Sequence, residues 1–259
     1  LLVSDLNQTV REVMTTDTQV IHANMDEEDV AKIFERHDLV SAPVIDSVGK
    51  LIGRITIDDV VDVIRDTADH SLMSMAGLDE EEDTFAPALK TGRRRAVWLG
   101  INLITAFIAS AVIGLFDQTI ERLVALAVLM PIVASMGGIA GSQVLTLVIR
   151  GQALGHISSR NITWLMNREL AVGFFNGLLW ALVIAVITFF WFDDLQLAWI
   201  IGAAIIINFL VAALSGAALP IILKRQNIDP ALAGGVLLTT ITDVVGFFAF
   251  LGLASIFYL

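Results

Sequence analysis

Residues 231–259 read ALAGGVLLTTITDVVGFFAFLGLASIFYL, an apolar run whose one acid, Asp243, stands near its middle. About 20 such residues suffice for a helix to cross a hydrocarbon core of about 30 Å. A carboxylate near the centre of that helix costs about 2.5–3.5 kcal/mol even on lenient insertion scales, so intramembrane acids face a polar cavity, a pore or an ion by default. At helical spacing Gly235, Thr239, Asp243 and Gly246 share one narrow stripe, while Val, Leu, Ile and Phe cover the other faces. The stripe predicts a helix lining a hydrophilic path, with Asp243, Thr239 and Gly235 as ion-binding positions. The plainer alternative is a protonated, hydrogen-bonded Asp243 that fixes helix packing.

Outward from that run the chain is 56% hydrophobic with a mean hydropathy of +0.77, too apolar for an ordinary soluble domain. The average hides a boundary near residue 92. Residues 1–92 hold 20 Asp and Glu against 7 Lys and Arg, whereas 93–259 hold 7 against 9, so nets of −13 and +2 make up the overall −11. An acidic lobe repels nucleic acid and anionic headgroups and attracts cations, which argues for divalent cations and against nucleic acid as partners. Without cysteine there is neither a disulfide framework nor a thiolate metal site. The chain starts in mid-phrase, without Met or a leader n-region, and the expectation is a piece of a longer protein.

Residues 93–259 contain five apolar stretches, 96–116, 122–149, 165–192, 195–223 and 231–258, each long enough to span, with tilt or breaks expected in the longer ones. Arg93–Arg95, then Arg150, Arg160 and Arg168, then Lys224 and Arg225 mark one side; Asp117, Glu121 and Arg122, then Asp193 and Asp194, mark the other. The positive-inside rule predicts a multi-pass protein of the cytoplasmic membrane with its N-terminus in the cytoplasm and its C-terminus outside, and Trp98, Trp164, Trp191 and Trp199 sit where lipid-interface anchors belong. The second stretch is unusual. Pro131 and the run MGGIAGSQ (136–143) loosen it, and Pro131, Ser135, Gly138 and Ser142 share a face, which nominates Ser135, Gly138 and Ser142 as a second pore-lining wall. Asn102, Thr105, Ser110, Asn208 and Ser215 are further polar points, expected to hydrogen-bond neighbouring helices.

The acidic lobe predicts a strand at 19–23, a helix at 25–36 capped by Asp26, strands at 42–46 and 50–57 joined by a turn at Ser47–Gly49, and a helix from Asp58 to about Thr67. This β-α-β-β-α order, with its AlaProValIleAsp strand and GlyArgIleThrIleAspAsp junction, resembles a CBS domain over 10–70. The resemblance implies an α/β cytosolic module that works in pairs, so that residues 1–9 are the exit from a missing first CBS domain. It also implies ATP as a candidate ligand, with Gly53, Ile55, Thr56 and Asp59 matching the segment that holds an adenosine ribose. The acids have another use: Asp58, Asp59, Asp62 and Asp66, with Glu80 and Glu81 of the Asp79–Asp83 run, are candidate ligands for a regulatory Mg2+ or Ca2+, against the simpler reading of a solvated acidic face. Residues 71–95 form the acidic connector, ending in an amphipathic segment that enters the membrane domain, 96–259.

CBS domain, connector and five spans in this order resemble the MgtE-type magnesium channels, most sharply at PIVASMGGIAGSQ (131–143), DPA (229–231) and TTITDVVG (239–246). The resemblance implies a membrane all-α fold of five helices per protomer, a pore at a homodimer interface with Asp243 as its acid, and closure by cytosolic Mg2+ bridging acids of the CBS domain and connector. Against the family pattern, Ile139 and Ser142 stand at usual Asn positions, Thr239 replaces a small residue, and Thr67 and His70 replace acids. The expected function is a divalent-cation channel, Mg2+ first, that mediates uptake; the alternative is a proton- or sodium-coupled transporter of the same architecture. An enzyme is not expected, since an intramembrane metalloprotease needs a HisGlu-x-x-His set and His22, His37, His70 and His156 are isolated.

Overall fold

A computed structural model of the chain describes residues 8–14, 18–78, 85, 87–158 and 160–259, which divide into two compact units, Leu1–His70 and Ser71–Leu259. In the first unit a short α1 (Val10–Val13) precedes β1 (Ile21–His22), α2 (Glu27–His37), β2 (Ser41–Ile45), β3 (Leu51–Thr56) and the start of α3 (Ile57–Met75). Asp26 caps α2 by accepting from the Glu28 N–H at 3.0 Å, as its spacing predicts. β1 pairs parallel with β2 across α2, and β2 pairs antiparallel with β3. The β2–β3 turn closes on Asp46, whose Oδ1 accepts from the Val48 and Lys50 N–H groups at 2.9 and 2.8 Å. Ile21, Val30, Phe34, Ala42 and Val60 form the small core, while Leu51, Ile52, Val61 and Ile64 stay exposed.

The helix after β3 runs eight residues beyond the expected end at Thr67. Nothing in the chain breaks it before Gly77, whose φ of +70° stops it, with the Leu78 N–H returning to the Met73 carbonyl at 2.9 Å.

In the second unit five helices are long and apolar enough to cross a membrane: α4 (Ala88–Gly114), α6 (Ala125–Ala153), α7 (Ile162–Phe192), α8 (Leu195–Arg225) and α9 (Pro230–Tyr258), with a short α5 (Asp117–Arg122) after the first. The basic lead-in to the first span is not a separate segment, because α4 runs unbroken from Ala88 through Arg93–Arg95. α6 likewise continues through Pro131. Of the expected interhelix hydrogen bonds, Asn102 and Thr105 instead donate to carbonyls of their own helix, Trp98 and Asn102, at 2.9 and 2.8 Å.

α8 is the hub. It packs against α6, α7 and α9, whereas α6 and α7 barely touch and α4 packs chiefly against α9. Without a hydrophobic driving force between helices inside a bilayer, such contacts depend on close backbone approach, and small residues permit it. Gly173 of α7 lies against Ala213 and the Phe209 carbonyl; Gly216 of α8 lies so near the Gly141 carbonyl that an added Cβ would stand 2.7 Å from it. One end of the α8–α9 pair is tied across the helices, and the other is locally capped. Asp194 caps α8 and accepts from the Tyr258 hydroxyl at 2.5 Å, Gln196 donates to the Phe257 carbonyl at 2.8 Å, and Asp229 caps α9 through the Ala231 N–H at 2.9 Å.

Gly216→Ala should therefore destabilise the membrane unit by about 1–3 kcal/mol, because rigid backbone blocks the new methyl. Gly100→Ala, at a helical glycine with open space around it, should leave the melting temperature of the detergent-purified protein unchanged or slightly raised.

Candidate functional site

Asp243 sits halfway along α9, half-buried, with no hydrogen-bond or ion-pair partner among the described residues. Thr239, one turn earlier, is exposed and donates its hydroxyl to the Gly235 carbonyl at 2.9 Å; the space beside Gly235 is open. Gly246 departs from the expected stripe. It is buried, and a Cβ there would stand 2.7 Å from Nδ2 of Asn208 and 3.2 Å from Val133, so it serves helix packing rather than the open face.

The glycines of α6 divide in the same way. Gly137 packs on Asn208 and Gly141 on Leu238, whereas Gly138 has open space beside it, between exposed Ser135 and Ser142; the Ser142 hydroxyl donates to the Ile139 carbonyl at 2.9 Å. Three contacts set how α6 and α9 lie against each other: Val133 with Gly246, Gly141 with Leu238, and Leu145 with Gly234. They define one antiparallel register, in which Asp243 is level with Met136 and next to the level of Ser135. Because residues advance 100° each and the helices run oppositely, Ser135, Gly138 and Ser142 open on the same side of the pair as Gly235, Thr239 and Asp243. α8 covers the other side. Two polar faces nominated separately thus form one continuous wall.

Sequence reasoning missed Glu169. It is 4% exposed, on the α7 face turned to α8, and accepts from the Arg168 guanidinium at 2.8 Å. An acid inside the third apolar stretch was the available signal, masked by the arginine beside it.

In the first unit Asp58, Asp59, Asp62 and Asp66 are all exposed, the first, third and fourth following one another at four-residue spacing on α3. Among the described residues no group of three or more His, Cys, Asp or Glu side chains is arranged to hold a metal ion, and Glu80 and Glu81 lie outside the described residues. A hydrogen bond from Thr56 and its own backbone N–H hold Asp58 below the usual carboxylate range, against slight desolvation, with Arg54 adding to them. Asp59 Oδ2 accepts from both the N–H and the hydroxyl of Thr56 at 3.0 Å, tying the end of β3 to the first turn of α3. Thr56 and Asp59 are thus bonded to each other, while Gly53 is exposed with open space beside it.

Residues 130–253 match the MgtE family model, described as a divalent cation transporter, and residues 10–66 match the CBS domain. Residues 130–253 of the membrane unit carry an MgtE-family domain. Its MgtE match takes in α6 to α9, hence both polar faces, and leaves out α4. The magnesium transporters MgtE of Bacillus subtilis, Enterococcus faecalis and Thermus thermophilus are 30%, 29% and 30% identical to the chain over 99% of its length. The chain spans 56–57% of the length of these relatives.

The protein has no cysteine, so single cysteines report cleanly on exposure to water. With protein in liposomes, Thr239→Cys and Ser135→Cys should react readily with a charged thiol reagent and Leu238→Cys should not. Equal protection at all three would mean that the polar wall is sealed.

Proposed function

We propose that this protein is a divalent-cation channel that admits Mg2+, with Asp243 as its selectivity acid. The observation carrying this reading is an intramembrane carboxylate without a partner among the described residues, on a polar wall shared by α6 and α9. A charge at that depth is tolerated where water or an ion meets it. One protomer makes only one side of such a path. A second copy related by a two-fold axis along the membrane normal brings a second Asp243 to face the first, and two facing carboxylates repel unless a divalent ion or a proton lies between them. Mg2+ sheds water reluctantly, so two carboxylates suit a largely hydrated ion better than a full protein cage does. The scarcely buried α4 also leaves apolar surface for a homodimer and lipid to cover.

The positive-inside rule, applied to the basic ends of α4, α6 and α8, supports a cytoplasmic-membrane protein whose CBS unit lies in the cytoplasm, with Asp193, Asp194 and the C-terminus outside. There, Asp58, Asp59, Asp62 and Asp66 present an acidic face on which cytosolic Mg2+ acts as regulator, favouring the closed state. The names of the three transporter relatives agree with Mg2+ as cargo.

Asp243→Asn tests the assignment, since it keeps volume and one oxygen but removes the charge. Divalent flux into liposomes should fall about tenfold or more, the effect of losing about 1.4 kcal/mol of ion binding, while folding and dimerisation persist. Undiminished flux would assign Asp243 to packing, and proton movement matching the Mg2+ flux, read by an enclosed pH dye, would convert the channel into a coupled transporter. Changing Asp58, Asp62 and Asp66 together to Asn should raise the cytosolic-side Mg2+ needed to inhibit flux. An unchanged inhibition curve would leave those acids as a solvated face.

A further inference from the structure

Asn208, midway along α8, has no exposed surface. Its Nδ2 donates to the Val133 carbonyl of α6 at 2.9 Å. The room for its carboxamide comes from two glycines on two other helices: a Cβ on Gly137 would stand 2.7 Å from Asn208 Cγ, and one on Gly246 would stand 2.7 Å from Nδ2. The amide is thus wedged between the backbones of α6 and α9. Its Oδ1 is buried without a hydrogen-bond partner among the described residues. Turning the amide over does not help, because that sets oxygen against the Val133 carbonyl. An orphaned acceptor in an apolar interior is destabilising, whereas a leucine of similar size fills the same space without one. Stability alone does not account for an amide here.

Its depth supplies the account. Gly246 follows Asp243 by less than a turn, and Val133 and Gly137 bracket Ser135 and Met136, the residues level with Asp243. Asn208 therefore stands directly behind the part of the wall that holds the acid. We propose that Asn208 is a positioning residue for ion passage, its carboxamide fixing the separation of α6 and α9 at the depth of Asp243 and so the width that separates hydrated Mg2+ from divalent ions that lose water more easily. The proposal rests on the channel function above. It needs no contact between Asn208 and the ion, because the hydrogen bond to α6 and the fit against Gly246 act on the two walls from the rear.

Asn208→Leu keeps the wedge and removes the bond. Its melting temperature should hold or rise, yet the ratio of Mn2+ to Mg2+ flux through liposome-reconstituted protein should shift by roughly fivefold or more, the low end of typical coupling between sites. A purely structural residue moves stability and total flux but not this ratio, so a wild-type ratio in folded protein overturns the proposal. Where Asn208→Leu does not assemble, Asn208→Ala with Gly246→Ala refills the vacated space from α9 and carries the same comparison. A wild-type protein that conducts no divalent ion would overturn the channel function instead. The spacing would then be read from disulfide formation between Ala134→Cys and Val245→Cys, which the α6–α9 register sets opposite one another. Unequal rates with and without Asn208→Leu are expected, and equal rates would overturn the positioning role.

Discussion

Inside a bilayer, helices gain nothing by hiding apolar side chains from one another, since lipid is as apolar as leucine. What holds them is close contact, and close contact requires small residues where backbones cross. In this protein the crossings converge on α8: Gly173 on Ala213, Gly141 on Gly216, and Gly137 and Gly246 on Asn208. These contacts draw α6 and α9 onto the same flank of α8 and fix their antiparallel register. Everything about the polar wall follows from that seating, because it decides which faces of α6 and α9 are used up and which remain open.

The two faces are used in opposite ways. The rear of the α6–α9 pair is filled by Leu238, Val133 and the Asn208 carboxamide; the front carries Ser135, Ser142, Thr239 and Asp243. The front hydroxyls of Thr239 and Ser142 donate to carbonyls of their own helices, which leaves their oxygen lone pairs outward. An unpaired carboxylate among outward oxygens suits a hard cation that retains its water, and it is a poor surface for lipid. The other buried acid is arranged differently: Glu169 faces α8 and keeps Arg168 as its counter-charge.

The CBS unit separates two roles that one motif carries in the sequence. The hydrogen bonds from Thr56 to Asp59 tie the end of β3 to the first turn of α3, so their spacing has a local structural reason before any nucleotide is considered. The acids at 58, 62 and 66 have no such local use as a set, and they stay exposed along one helix. Ile52, Val61 and Ile64 on β3 and α3 are apolar and exposed.

Some of this was settled by sequence because it depends on composition and local geometry alone. Apolar length determines five spans, Asp26 before an acidic first turn determines a helix start, and a lone carboxylate at mid-span is costly wherever its helix packs. What escaped depends on neighbours. Periodicity places Gly235 and Gly246 on one stripe, and Gly137 and Gly138 in one motif, yet one of each pair is packed and the other open. A glycine looks the same in sequence whether it makes room for another helix or leaves a surface bare. Asn208 reads as one polar point among several, and its place behind Asp243 exists only once three helices meet around it. Helical spacing specifies a face; only tertiary packing decides what covers that face, because the covering residues come from distant chain segments, as Val133 does for Gly246.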